Sequence, residues 1–191
     1  MKKNYIIVCF FLTFLFGISF ASATKIYVYP SNIKKNLGDT FTVDVKLDSV
    51  SDLYGYEFKL YWDTKLLDCV NKVSYVNGIW SKNYQWKNEL NEGLGYVWIS
   101  YSGLSPATSF NGNIKLATLT FKTTGSGKGN FNLYETKLAT SNGNKITHDV
   151  GNGYFEVSGS YIRSRGVKTP TMADLSNFFR QFIEKIFGPN F

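Results

Sequence analysis

The chain is short of the residues that most catalytic chemistry needs. It has one histidine, His148, and two cysteines, Cys9 and Cys69. It has no serine elbow, no His-Glu-x-x-His and no Cys/His cluster, so nucleophilic and zinc chemistry lack their parts. Paired carboxylates are the remaining route, and a glycosidase needs two of them facing each other. The nearest in sequence, Glu57, Asp63 and Asp68, read as solvated charges at strand ends. Calcium wants clustered oxygen ligands, and Asp39, Asp44, Asp48 and Asp52 are instead spread along one strand and its ends. No metal, no cofactor and no enzyme activity is expected. Lysines and arginines outnumber acids, for a formal net charge of +7, but no run of five or six like charges occurs, which excludes the usual nucleic-acid footprint. Asn-x-Ser/Thr sequons are absent, as are internal repeats.

Long apolar runs are also lacking. Ile6 to Phe16 is the longest and falls short of the about 20 residues that a membrane span needs. It follows Lys2 and Lys3 and precedes Ala21-Ser22-Ala23, which together make a signal peptide over residues 1–23 with cleavage after Ala23. An uncleaved N-terminal anchor is the alternative. Removing 23 of 191 residues leaves 168 and takes the net charge from +7 to +5, a length suited to one domain and an appendage. The protein is therefore expected outside the cell, and a mildly basic one would be drawn to anionic surfaces or acidic partners. Cys9 leaves with the signal, so Cys69 is alone. It lies in the apolar run LLDCV and reads as a buried thiol, with pairing between molecules as the alternative.

What is present is alternation. Gly55 to Leu67 (GYEFKLYWDTKLL) places Phe58, Leu60 and Trp62 on one side and Glu57, Lys59 and Tyr61 on the other, the period of a half-buried strand. Thr40 to Leu47 does the same with Phe41, Val43, Val45 and Leu47. Further strands are read at Lys25 to Tyr29, Leu66 to Val73, Gly95 to Tyr101, Ile114 to Thr123, Asn130 to Thr136 and Tyr154 to Val157. Ser49 to Leu53 and Ser102 to Asn113 read as connections, and Ser74 to Asn91 as a strand with a long loop. Eight or nine short strands with no long helix before Gly159 predict an all-β antiparallel sandwich or jelly roll over residues 24–158.

The periodicity then switches. Residues 159–170 form a linker carrying Arg163, Arg165 and Lys168. Over residues 171–188, Leu175, Phe178, Phe179, Phe182, Ile183, Ile186 and Phe187 recur at helical spacing. Thr171 with Asp174 makes a capping box, and Gly188-Pro189 ends the segment. This predicts an amphipathic helix that packs on the domain or on another chain; a membrane surface or a partner helix is the alternative.

Three stretches resemble the cohesin family, secreted sandwiches that receive dockerin modules in cellulosome-type assemblies. They are Gly38-Asp39-Thr40 leading into FTVDVKL, then FKLYWDTKLL, and Gly112 with LATLTFK. The closing NGYFEV is similar to the family's last strand. The resemblance covers Lys25 to Ser158 and implies a nine-stranded flattened jelly roll that binds without catalysing. It implies a partner on the sheet face that includes the family's third, fifth, sixth and eighth strands. Matched to this chain, that face carries Glu57, Lys59 and Tyr61, with Tyr96 and Trp98 beside Ser100 on the sixth strand. The family often has a carboxylate or amide where Glu57 stands. The basic linker and helix depart from the family, and the absence of paired calcium loops makes this chain the receiver and not the inserted module. The implied partner is a dockerin-like protein in extracellular polysaccharide-related assembly.

Carbohydrate-binding modules share this jelly roll, which leaves polysaccharide as the alternative partner. Trp80, Tyr84 and Trp86 are the candidate sugar-stacking residues, since aromatic rings on a sheet face can lie against sugar rings. A planar row of exposed rings favours sugar; a mixed surface around Glu57, Lys59 and Tyr61 favours protein.

Overall fold

The computed structural model describes residues 23–159. The signal peptide, the basic linker and the amphipathic helix expected from the sequence lie outside the described residues.

The first strand, β1 (Lys25–Tyr29), is followed by β2 (Asn32–Asn36) and the long β3 (Thr40–Leu53). Next come β4 (Gly55–Tyr61) and β5 (Leu67–Ser74). A single 3-10 turn at Val76–Gly78 leads into β6 (Asn83–Asn91) and β7 (Tyr96–Gly103). The described residues end with β8 (Phe110–Thr123), β9 (Gly127–Ala139), β10 (Asp149–Gly151) and β11 (Gly153–Ser158). They form two sheets, one ordered β10-β1-β3-β8-β5 and the other β2-β11-β9-β4-β7-β6.

The alternation in the sequence becomes the core between them. In β3, Phe41, Val43, Val45 and Leu47 all point inward, and in β4 Tyr56, Phe58 and Leu60 do so. Aromatic rings run across the gap. Trp62 meets Phe121 edge-on at 5.1 Å, Phe121 meets Phe131 at 5.0 Å, and Phe131 meets Phe155 at 4.9 Å. Such pairs add about 0.5–1.5 kcal/mol each beyond the area they bury.

Several expectations need correction. The described residues hold eleven strands where nine were expected, and each sheet is mixed where both were expected to be antiparallel. The added strands, β2 and β10, lie at sheet edges and are the ones paired in parallel, β2 with β11 and β10 with β1. An edge strand needs little apolar alternation, and in β2 (NIKKN) only Ile33 is buried. Ser49 to Leu53 is not a connection: β3 continues through it, with register shifts against β8 and with Ser49 and Asp52 at positive φ. The predicted loop before Ile114 is also shorter, because β8 begins at Phe110. Asn111 and Asn113 complete this irregular stretch, their side-chain oxygens accepting from the Asp52 and Ser49 amides at 2.9 and 2.7 Å. Local side-chain bonds of this kind replace ladder bonds at a bulge.

Cys69 is buried, its thiol 3.5 Å from the Asn71 carbonyl oxygen. Burial pushes the thiol up to about 11. At pH 8 roughly one molecule in a thousand would hold the reactive thiolate. Iodoacetamide at pH 8 is expected to leave the folded protein unmodified and to alkylate Cys69 once urea unfolds it, read by mass spectrometry.

Gly129 stands directly opposite Phe155 across β9 and β11, and a Cβ there would lie 2.4 Å from the Phe155 ring. Phe155 is part of the core and has nowhere to retreat. Gly129→Ala is expected to cost about 1–3 kcal/mol through overpacking, read from the midpoint of urea unfolding.

Candidate binding face on one sheet

Strand β4 lies inside the six-stranded sheet, between β9 and β7. Its inward residues belong to the core, so Glu57, Lys59 and Tyr61 are turned to the outer face. On β7 the same alternation buries Val97, Ile99 and Tyr101 and turns Tyr96, Trp98 and Ser100 outward, with Ser100 largely covered. The register brings these residues side by side: Tyr61 opposite Tyr96, Lys59 opposite Trp98, Glu57 opposite Ser100, and Gly55 opposite Ser102. The five residues expected to meet a partner therefore share one face.

The outer face is built in rows across β9, β4, β7 and β6. One row is aromatic: Tyr134 meets Tyr61 at 5.6 Å and Tyr61 meets Tyr96 at 5.3 Å. The next is ionic around an indole. The Lys59 and Lys87 ammonium groups lie 4.3 and 4.6 Å from the centre of the Trp98 ring. Lys59 also pairs with Glu135 at 2.8 Å and Lys87 with Glu89 at 2.7 Å. The Glu135 hydrogen bond holds the Lys59 ammonium above the ordinary lysine value. Beyond it, the Glu57 carboxylate accepts from Lys137 at 2.9 Å and from the Ser100 hydroxyl at 3.4 Å. Three acids thus meet three lysines.

Two bulges make this arrangement. The β4–β9 register shifts between Glu57 and Lys59, and Glu135 at that point takes φ 52°. This sets the Glu135 carboxylate beside Lys59. The β6–β7 register shifts between Gln85 and Lys87, which leaves Trp86 as the extra residue. Bulges re-aim side chains in this way and gather near binding sites. The Trp86 indole N–H donates to the Ser102 hydroxyl at 3.1 Å, and the ring stays 63% exposed.

The face holds more than the sequence reading found. Tyr134, Glu135 and Lys137 come from β9, and Lys87 and Glu89 from β6. A signal for the β9 residues was present: its buried residues change parity, from Phe131 and Leu133 to Leu138. A change of parity marks a bulge. For β6 no alternation exists, because it is an edge strand and none of its residues is fully buried.

The sugar-stacking candidates separate. Trp80 is a correction: it is 2% exposed, stacked on Tyr56 at 5.9 Å, with its N–H donating to the Leu53 carbonyl. It closes the core where the 3-10 turn passes over it and is closed to any ligand. Tyr84 and Trp86 are exposed, but their rings meet at 68°. His148 has both ring nitrogens engaged, with the Ile146 carbonyl and the Thr136 hydroxyl, each at 2.9 Å. Asp63 accepts from the Lys65 amide in its turn. Among the described residues no group of three or more His, Cys, Asp or Glu is placed to hold a metal ion.

A family model described as the cohesin domain matches residues 28–157. No curated protein matches the chain. Among solved structures, the third cohesin of ScaC from Acetivibrio cellulolyticus, in complex with the ScaB dockerin, is 15% identical with a TM-score of 0.59, covering 71% of this chain and 99% of its own. The type I cohesin–dockerin complex of OlpA from Clostridium thermocellum is similar at 16% identity and a TM-score of 0.57, over 72% of this chain and 100% of its own. A non-cellulosomal cohesin from the archaeon Archaeoglobus fulgidus matches at 14% identity and a TM-score of 0.56, over 72% and 93%.

The four tryptophans of the chain are unequally placed. Trp62 and Trp80 are core, Trp98 lies beneath two lysines, and Trp86 stands in solvent. Acrylamide is expected to quench one readily accessible fraction of the fluorescence, and that fraction should disappear in Trp86→Phe. Unchanged quenching in this variant would mean that Trp86 is covered.

Proposed function

The chain belongs to the cohesin domain family, and from that premise we propose that it is a secreted, non-catalytic receiver of a dockerin-like protein module, which docks on the outer face of β9-β4-β7-β6. The observation that carries this reading is the character of that face. It is a mixed surface in which Glu57, Lys59, Tyr61, Tyr96 and Trp98 lie together, joined by Tyr134, Glu135, Lys137, Lys87 and Glu89. Protein interfaces combine aromatic anchors with a polar rim in this way. Two of the solved relatives are cohesins held in complex with dockerins, which favours the same class of partner here.

The geometry weighs against sugar. A polysaccharide platform needs rings lying in one plane, so that successive sugars can stack. Here the Tyr61 ring makes 40° with Tyr96 and 80° with Tyr134, Tyr84 makes 68° with Trp86, and the Trp98 ring has two ammonium groups over it. Enzyme activity has no support from the site either, since Glu57 is closed by Lys137 and Ser100. Secretion rests on the signal sequence at residues 1–23. The extracellular assembly need not be a cellulosome, since one of the solved relatives is a non-cellulosomal cohesin.

The test is binding by residues 24–191 to a panel of dockerin modules, the ScaB dockerin included, beside insoluble cellulose and other polysaccharides. Saturable binding to a dockerin at micromolar Kd or tighter, with no retention on polysaccharide, is the expected result. Retention on polysaccharide without any dockerin binding would replace this reading with a carbohydrate-binding one. Glu57→Ala, still folded, is expected to weaken the dockerin complex about tenfold, within the range for an interface residue of moderate weight.

A further inference from the structure

Gly55 is a glycine that the fold does not require. It is the first residue of β4, just after the chain leaves β3, and it is paired with Ser102 on one side and Ala139 on the other. Glycine in such a place weakens a strand, and it ordinarily marks a bulge, a left-handed residue, or a close approach by other atoms. None of these is found at Gly55 among the described residues. Gly55 is not among the positive-φ residues, and no register shift falls at it. A Cβ built on it would meet Ala139 Cβ at 3.7 Å, Tyr101 O at 3.7 Å and Ser102 Cβ at 3.8 Å, all ordinary contact. Gly129, by contrast, is excluded from carrying a side chain by the Phe155 ring.

The missing side chain leaves a depression. Its floor is Gly55, Ala139, Ser100 and Ser102, with Trp86 and the Glu57–Lys137 pair also lining it. Its volume is about 180 Å³. It is open to solvent and smaller than the roughly 300 Å³ at which small-molecule sites begin, a size suited to a single side chain. Its polar groups are already engaged with one another: Lys137 and Ser100 with Glu57, and Trp86 with Ser102. The occupant is therefore asked for apolar surface and not for charge. Trp86, carried out of register by its bulge, offers that surface.

We propose that this depression is the anchor pocket of the interface, and that a protein partner fills it with one apolar side chain laid against Trp86 over Gly55. The proposal rests on the reading of this face as a protein-docking surface and names what that reading leaves open. The strongest contact is placed at Gly55 and Trp86, and the three ion pairs become its rim.

The experiment uses residues 24–191 with the tightest-binding dockerin of the panel as probe, by calorimetry, with Gly55→Ala, Gly55→Val and Trp86→Ala. Gly55→Ala is expected to keep or raise the thermal midpoint while weakening binding. Gly55→Val should weaken binding about tenfold or more, and Trp86→Ala about thirtyfold, the scale of an interface hot spot. Full affinity in both Gly55 variants would overturn the pocket while leaving the docking face in place. A large loss of stability in Gly55→Ala would overturn it too, because the glycine would then serve the fold. If no dockerin binds the wild-type chain, the docking reading fails and the pocket's occupant fails with it.

Discussion

Everything on the binding face depends on β4 being hydrogen-bonded on both sides. With β9 on one edge and β7 on the other, it cannot shift register without breaking two ladders. A slip of one residue would send Tyr56, Phe58 and Leu60 to solvent and bring Glu57 and Lys59 into the core. Two buried charges without partners would cost far more than any local gain. The hydrophobic pattern thus fixes which residues face outward without those residues having to contribute to folding. The inner side, packed through Phe58 and the Trp62–Phe121–Phe131 chain of rings, holds the outer side at a set spacing.

That rigidity makes the two bulges consequential. In a regular sheet, outward residues fall on a fixed grid. At Glu135 and Trp86 the grid is broken on the strands flanking the β4–β7 pair. One break sets a carboxylate beside Lys59, and the other sets an indole beside the low ground at Gly55 and Ser102. Each is a local departure from β geometry with a direct effect on surface chemistry. The ion pairs matter differently. Exposed pairs contribute little to stability and are screened by salt, so on the proposed docking face their weight lies in which partner they would admit. A partner that fails to match alternating acids and lysines meets like charge or strips a pair of its mate, and both are penalties.

Much of this was legible in the sequence, and the divide follows a physical line. Strands with one buried face announce themselves by alternation, which is why β3 and β4 were read with the correct side inward, whereas β7 is apolar on both sides and the grouping of Tyr96 and Trp98 with Glu57, Lys59 and Tyr61 came from the resemblance to cohesins. The edge strands β2 and β10 were missed because an edge buries little and pairs with residues over a hundred positions away. Trp80 was read as a ring available to sugar because its neighbours Ser81, Lys82 and Asn83 are polar. The 3-10 turn at Val76–Gly78 carries it back into the core, a tertiary effect that local composition does not encode. The charges of β9 and β6 were missed because a charge is a weak sequence signal: it states that a residue is solvated, not what stands beside it.

A fold that buries one side of β4 and leaves the other free separates two sets of constraints. At 12–16% identity to solved cohesins the architecture still superimposes, because a core asks only for apolar residues of suitable volume at alternate positions. The outward positions are free of that demand. Gly55 belongs to that second set. Among the described residues nothing bars a side chain there, which is what the proposed occupant of the pocket accounts for. Trp86 is the converse, a large apolar ring that the fold leaves in water beside that room. Each feature costs the isolated domain something, and the two lie across Ser102 from one another, where one bound side chain would relieve both.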